Sequence, residues 1–432
     1  DLPAGGNSFE AVAEGVIDAN KPVYLSRTNG KVIQPSESTT TLSTPLAGQN
    51  TTHGNNDSRN EGWCSIGGNY FWFGFKNGSA QDNVYGRLVT YNSSSDTVSF
   101  GSQALVGGTT GSSEFITPVY DSTADRFMVV WRYGDNSLDY IVGNRSGTSL
   151  SYGSQGNFNS GYDGSNQPVS VAGAFNPDER GMTFIWQEGG ETKVGNAQVS
   201  TSANTATLGG VGQGLTAGAV QMNGCDICYD TTTNRFLAAY CERQGSAYQM
   251  VFQVGKPNSG TSVTWGSKTI ITTSPASTNR EVKGPRLAFD PDSGLCLCVV
   301  NDTSNNKMVQ FPVQITGGTT NTAALADSNS PTIFESYGSG GYGLVYDTAA
   351  NKMIFFYRDN NNSNRPTAML GTYSENYSGT NDYYTWSSAT QLATASMGNY
   401  GSDASSGSDG AHSPLVLLPA GGRAIGYWHP GY

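Results

Sequence analysis

The sequence predicts an all-β chain: a seven-bladed β-propeller of four-stranded antiparallel blades, its ring closed by N-terminal strands. Three observations predict it. An aromatic-Asp turn followed by an apolar strand recurs at nearly constant spacing, a second stamp recurs behind it in constant order, and no stretch keeps the helical period over ten residues.

The clearest copy of the repeat runs from Thr117 to Gly153. A short apolar run ends in Tyr120-Asp121, a turn of small and polar residues follows, and Arg126 opens a run that is apolar on consecutive positions, Phe127 to Trp131. A polar break, Arg132 to Asn136, precedes a third run at Tyr140 to Gly143 and a fourth ending in Leu150-Ser151-Tyr152-Gly153. Four short strands joined by tight turns make an antiparallel meander. The second strand lacks clean alternation, so both of its faces are expected to be buried, as in a small sheet packed between two like sheets.

The turn and second strand return at Tyr229 to Tyr240, Tyr346 to Tyr357, Phe289 to Val300 and Phe175 to Trp186, with shortened copies at Ile66 to Phe75 and Leu418 to Trp428. The last large residues of these strands stand at 75, 131, 186, 240, 300, 357 and 428, so the gaps are 56, 55, 54, 60, 57 and 71. That period fits a four-stranded propeller blade. Asp or Asn after the aromatic can fold back on its own backbone, and Asn, Asp or Gly five positions after the aromatic tolerates a left-handed conformation. The second stamp closes the fourth strand: Val98 to Ser102, Leu150 to Ser154, Val263 to Ser267 and Tyr384 to Ser388.

A chain of 432 residues is longer than one compact core supports, and a propeller escapes that limit by dividing its core among blade interfaces. Hydrophobic residues make up only 36 %, but aromatics reach 11 %, and the 56 glycines suit a chain of many turns. The formal net charge of −11 argues against a nucleic-acid or anionic-membrane surface. No apolar segment approaches the roughly 18–20 residues that span a bilayer, and the start shows no signal-peptide pattern. Opening on Asp1 rather than Met is expected of a trimmed or partial sequence.

Six cysteines bear on the redox setting. Cys296 and Cys298 share one strand face, and Cys225, Cys228 and Cys241 are expected to converge from neighbouring strands. A zinc site would need a fourth ligand that the spacing does not show. Buried free thiols are the preferred reading, with a disulfide or a metal as the alternative. Free thiols point to assembly in a reducing cytoplasm.

Residues 1–60 fall outside the repeat. Phe9 to Ile17, Pro22 to Ser26 and Lys31 to Gln34 read as strands, with Thr28-Asn29-Gly30 as a hairpin turn. The last repeat reaches Tyr432 right after its second strand, so the N-terminal strands are the expected supply of its outer strands. The repeats then occupy 61–432, blades two to six running roughly 111–160, 161–215, 216–275, 276–330 and 331–395, with a Gly/Ser/Asp loop at Gly401 to Ser413.

After each second strand the chain turns polar: Lys76, Arg132, Gln187, Glu242-Arg243, Asn301-Asp302, Arg358-Asp359 and His429. In a radial array these positions lie on one rim. The candidate ligand-binding set is Lys76, Arg132, Gln187, Arg243, Asp302, Arg358, Asp359 and His429. Beside Trp131, Trp186, Tyr240, Tyr357 and Trp428 such groups suit a sugar, whose hydroxyls take planar hydrogen bonds and whose apolar faces stack on rings. The plainer and preferred reading makes them strand-end ion pairs and turn caps, repeated because the blade is repeated.

Catalytic signatures are weak. His53, His412 and His429 lack metal-ligand spacing, and no GxSxG, HExxH or P-loop occurs. Ser259 to Trp265 superficially resembles the Asp-box turn of sialidase-like propellers, but its Asp is missing and its spacing is off. No carboxylate pair is singled out for glycoside hydrolysis. No catalytic residue, metal site or cofactor is therefore assigned.

Two features are similar to tailed-bacteriophage virion appendage proteins, especially marine ones. One is the blade built on Tyr346-Asp347, Asn351-Lys352 and Tyr357-Arg358-Asp359 with Asn364 to Thr372, together with the blade on Tyr120-Asp121, Arg126 and Trp131-Arg132. The other is Glu14 to Asp18, Pro22 to Leu25 and Asn29 to Val32, which resembles a small β element of phage virion proteins. There Ala19-Asn20-Lys21 replaces the usual Gly-containing loop, and Asn29 stands for Asp. The resemblance implies a non-enzymatic virion surface protein: a tail fibre or spike, or a head decoration or knob. It implies assembly in the host cytoplasm, other virion proteins as partners and host surface polysaccharide as a ligand. A glycan-active enzyme and a purely structural lattice or filament subunit are the alternatives.

Overall fold

A computed structural model describes residues 24–25, 32–33, 61–76, 83–95, 97–107, 114–134, 137–159, 168–215, 224–244, 247–271, 282–302, 307–316, 321–326, 332–336, 342–374, 383–393, 415–417 and 424–426. The chain divides into two compact units, Asp1–Thr41 and Leu42–Tyr432. In the first, Tyr24–Leu25 pairs antiparallel with Val32–Ile33, two of the expected strands. The expected strand at Phe9 to Ile17, and with it the expected closure of the ring from the N-terminus, lies outside the described residues.

The second unit is an all-β propeller with six four-stranded antiparallel blades. Blade 1 is built from Glu61–Ser65, Tyr70–Lys76, Val84–Asn92 and Thr97–Phe100; blade 2 from Glu114–Asp121, Arg126–Arg132, Leu138–Ser146 and Ser149–Tyr152. Blade 3 uses Val169–Asn176, Gly181–Glu188, Glu191–Val199 and Ala206–Gly214; blade 4 uses Cys225–Asp230, Arg235–Gln244, Ala247–Ser259 and Ser262–Trp265. Blade 5 consists of Val282–Asp290, Leu295–Asp302, Lys307–Thr316 and Thr322–Leu325; blade 6 of Tyr342–Asp347, Lys352–Asp359, Arg365–Ser374 and Tyr383–Trp386. The first strand of each blade lies beside the first strand of the next.

The expected count of seven blades is corrected to six complete ones among the described residues. Between blades 6 and 1 stands a two-stranded hairpin, Leu415–Leu417 with Ala424–Gly426, whose first strand lies beside both Tyr342–Asp347 and Glu61–Ser65. This last repeat supplies inner and second strands, and no third or outer strand follows them among the described residues. The circle of inner strands closes all the same.

Second strands are buried on both faces, as their unbroken apolar runs predict: every residue of Gly181–Glu188 and Leu295–Asp302 is buried. The core is accordingly split into clusters between neighbouring blades. Trp186 packs with Val130, Phe158 and Phe184 between blades 2 and 3, and Leu237, Cys296 and Phe311 pack between blades 4 and 5.

The outer edge departs from the simple meander. In five blades the fourth strand is followed by a second short segment that pairs with the same third strand: Ala104–Gly107, Gly156–Asn159, Thr269–Ile270, Thr332–Ser336 and Thr390–Gln391. Breaking an edge strand in two shortens the row of unpaired backbone groups available to another chain. It also moves one expected boundary, because Thr332–Ser336 belongs to blade 5 rather than to the following repeat.

The aromatic-Asp turns fold as their chemistry predicts. Asp121, Asn176, Asp230, Asp290 and Asp347 each accept the backbone N–H groups two and three residues on. Asp125, Asn234, Asn351 and Gly294 take the left-handed conformation five positions after the aromatic, and so does Arg180, a residue type not expected there. The basic residue that opens the second strand has a tertiary role. Arg126 donates to Asn204 Oδ1 at 3.2 Å and Arg235 to Asn321 Oδ1 at 2.9 Å, each in the outer hairpin of the following blade. The glycine of the second stamp meets the same asparagines. A Cβ on Gly153 would lie 1.9 Å from Asn204 O and one on Gly266 2.2 Å from Asn321 O, so only glycine allows blades to approach this closely. The two stamps therefore converge on one clasp.

Candidate functional site

The polar positions after the second strands lie at the end where the inner strands begin, opposite the aromatic-Asp turns: Arg132 pairs with Glu114, Gln187 with Val169 and Asp302 with Val282. They do not form one ring of equivalent side chains. Arg132, Gln187, Arg358 and Lys76 directly follow the large residue of their strand, Asp302 and Asp359 come one position later, and Arg243 later still. Successive strand residues point to opposite faces, so the set divides between the two sides of each blade.

Most of these groups are occupied inside the fold. Arg132 is buried, its guanidinium carbon 5.3 Å from the Phe115 ring centre. Gln187 is fully buried and accepts the N–H of Gly224, in blade 4, at 3.0 Å. Asp302 and Arg358 are buried, and half-buried Asp359 caps the short 3-10 turn Asn360–Asn362 through the N–H of Asn361. Lys76 and Arg243 lie in strand backbone, with side chains outside the described residues; His429 lies outside them altogether. The ring faces of Trp131, Trp186, Tyr240 and Tyr357 are fully buried in blade interfaces, so none of them is offered to a sugar.

Sequence reasoning did not single out Glu188 or Asp139 on this face, and named Glu242 among the polar strand ends without placing it in the candidate set. Glu188 accepts from Trp186 Nε1 at 2.8 Å and from Asn159 Nδ2, in the preceding blade, at 2.9 Å, with Lys193 Nζ at 3.4 Å. Glu242 holds Lys268 Nζ at 2.7 and 2.8 Å. Buried Asp139 accepts from Gln155 at 2.6 Å and from Ser137 and Asn157 at 3.3 Å. A buried polar group held by several donors is an ordering device, since each lost partner leaves an expensive unpaired group.

A second cluster lies on the inner strands. Thr117, Asp226 and Arg286 hold the same register position, opposite Val130, Ala239 and Val299. Each reaches the next inner strand: Thr117 Oγ1 donates to Val171 O at 2.9 Å, Asp226 Oδ2 accepts from Leu287 N at 2.8 Å, and Arg286 Nε donates to Tyr342 O at 3.2 Å. Tyr342 Oη returns a hydrogen bond to Gly284 O. In blade 1 the position is Gly62, where a Cβ would meet Ile116 O at 2.1 Å. The detectable signal was a charge, in Asp226 and Arg286, at a repeat position otherwise held by glycine, alanine or threonine.

Asp226 keeps some solvent contact, yet protein surrounds its carboxyl closely. That desolvation raises its pKa from the usual 3.8, against the opposing pull of the Arg286 charge and the N–H groups of Leu287 and Ile227. A carboxyl whose folded pKa exceeds its unfolded one adds stability that is complete below the unfolded pKa and lost as pH rises through the folded one. Unfolding midpoints are expected to fall as pH rises above the ordinary aspartate range, and D226N to remove that part of the slope. Denaturant unfolding across a pH series checks this, and an unaltered slope in D226N overturns it.

The thiols correct one expectation. Cys228 and Cys241 do converge, but with Cys296 and Cys298 between blades 4 and 5, whereas Cys225 belongs to the interface between blades 3 and 4. Cys225 Sγ donates to Ser170 O at 2.7 Å. All six cysteines are free, and among the described residues no three His, Cys, Asp or Glu side chains are placed to hold a metal ion.

No protein-family model matches the chain, and no curated protein matches it. Among solved structures it is similar to a protein from Lactobacillus plantarum, with 13 % identity and a TM-score of 0.49 over 84 % of this chain and 89 % of that one. It is also similar to AofleA from Arthrobotrys oligospora, with 6 % identity and a TM-score of 0.43 over 76 % and 86 % of the two chains. A Hadza microbial sialidase gives 8 % identity and a TM-score of 0.39 over 73 % and 67 %. At such identities and scores these likenesses carry no argument about chemistry, and the propeller stands on its own strand pairing.

Proposed function

We propose that the chain is a non-enzymatic bacteriophage virion surface protein whose propeller presents polar hairpins to host surface polysaccharide. One observation carries the reading. The charged and amide groups of the candidate face are largely taken up inside the fold, in contacts within and between blades, whereas the hairpins between third and outer strands project exposed hydroxyls and amides. Asn92 to Ser95, Ser146 to Ser149, Thr201 and Ser202, and Asn258 and Ser259 are all exposed. Such a surface suits sugar hydroxyls better than an apolar partner, and among the described residues Leu105 is the one exposed large hydrophobic. The resemblance of the repeat to phage appendage proteins supplies the virion setting, and the net charge of −11 suits an exposed, soluble surface. Assembly in the reducing host cytoplasm agrees with six free thiols.

The test uses antiserum to this chain and the purified chain itself. Immunogold labelling should mark phage particles, and the chain should be retained on host cells but not on cells stripped of surface polysaccharide. Unlabelled particles, or retention indifferent to that stripping, would sink the proposal.

A further inference from the structure

Of the thiols gathered between blades 4 and 5, two nearly touch. Cys228 sits on the inner strand of blade 4 and Cys296 on the second strand of blade 5, with their sulfurs 3.5 Å apart. The two are 68 residues apart in the chain and belong to different sheets. We propose that Cys228 and Cys296 are a latent disulfide site that fastens blade 4 to blade 5 when the protein meets a peroxide. The site and its test are independent of any virion role.

Geometry selects this pair over the other thiols. A disulfide needs its sulfurs at about 2.05 Å, so closure takes roughly 1.5 Å of travel, within reach of side-chain rotation. Cys296 and Cys298 share one strand face two residues apart, so their parallel side chains leave the Cβ atoms about 6.6 Å apart, beyond the roughly 3.5–4.5 Å that a disulfide takes. Cys241 Sγ lies against Met250 Sδ at 3.6 Å, and Cys225 is turned to the preceding interface. A metal is the other use of clustered thiols, but no three ligating side chains are placed for one among the described residues.

The order of events follows from exposure. Cys228 is 9 % exposed and Cys296 1 %, so a small oxidant reaches Cys228 first. The Cys228 sulfur attacks one peroxide oxygen, the O–O bond breaks, and hydroxide leaves and takes a proton as water, which gives a sulfenic acid. The Cys296 sulfur then attacks Cys228 Sγ, the S–O bond breaks, and hydroxide leaves with the Cys296 proton as a second water. Two thiols lose two electrons in all, and one hydrogen peroxide gains them. Burial pushes the Cys296 thiol well up, which keeps it protonated and idle until the sulfenic acid forms beside it.

The experiment treats the purified full chain with hydrogen peroxide, then alkylates it in denaturant and maps its peptides. The expected result is loss of two of the six alkylatable thiols and a cross-linked peptide joining Cys228 to Cys296. Thermal unfolding should move up by a few degrees and return on reduction, because a bridge across a long loop constrains the unfolded chain. C228A should abolish both the cross-link and the shift. The wild-type peptide map decides the matter even should that variant fold poorly. Oxidation to sulfinic acid without a cross-link, a bridge through any other cysteine, or an oxidised protein that melts no higher would overturn the proposal.

Discussion

Replacing Trp186 with alanine is expected to lower stability by about 4 kcal/mol, the upper range for deleting a buried aromatic. The indole has no exposed surface and packs against Val130, Phe158 and Phe184 where blades 2 and 3 meet. Its removal opens a cavity that two sheets, each pinned by its own ladders, cannot collapse to fill. It also takes a donor from Glu188, which is left holding Asn159 and Lys193 alone. A comparison of two conservative changes separates these effects. Trp131 occupies the matching position one blade earlier, and its indole N–H has no hydrogen-bond partner among the described residues. W131F is therefore expected to cost about 1 kcal/mol or less, and W186F clearly more, because only the second takes a hydrogen bond from a buried carboxylate. Chemical denaturation of the four proteins measures this, and equal losses in the two phenylalanine variants would refute the role given to Glu188.

Substitution of Asp121 by alanine is expected to cost about 3 kcal/mol. Its carboxylate is fully buried and accepts from Thr123 N at 2.8 Å and Ala124 N at 3.0 Å. It also holds Arg180 of the next blade at 2.9 Å. Alanine leaves two turn donors without their acceptor and a partly buried guanidinium without its counter-charge, and breaking such a pair from one side is the costly direction. The protein already contains a milder version. Blade 3 has Asn176 at the same place, and it still accepts the N–H groups of Asp178 and Glu179. D121N should then keep the turn and lose only the ion pair, for about 1 kcal/mol. Guanidinium unfolding distinguishes the two, and D121A no worse than D121N would refute the account of the turn.

Legibility in the sequence followed the range of the interaction. The aromatic-Asp turns were readable because an Asx turn closes within four residues, so the residue type and the fold it causes sit side by side. Burial of the second strands on both faces was readable for a similar reason, since loss of alternation is a local signal. Arg126 and Gly153 were visible as recurring letters without a purpose, because the partner of both, Asn204, is more than fifty residues away in the next blade. The candidate rim spans more than one register. Lys76, Arg132, Gln187, Arg243, Asp302, Arg358, Asp359 and His429 were grouped by their nearness to a strand end, but a shift of one residue sends a side chain to the other face of the sheet. Arg358 and Asp359 are adjacent in one strand and point to opposite faces of it for that reason.

By itself, then, the amino-acid order determined the secondary structure, the turn chemistry and the radial repeat of four-stranded sheets, all of them consequences of contacts within about fifty residues. The tertiary structure alone decided that six blades are complete and that a two-stranded hairpin stands between the sixth and the first. It decided too that Gln187 and Glu188 of the polar face tie neighbouring blades together, and that Cys228 meets Cys296 rather than Cys225. The physical reason is common to all three. Each depends on which face of one sheet is pressed against which face of the next, and that is set by closing the circle of inner strands, which no single repeat encodes.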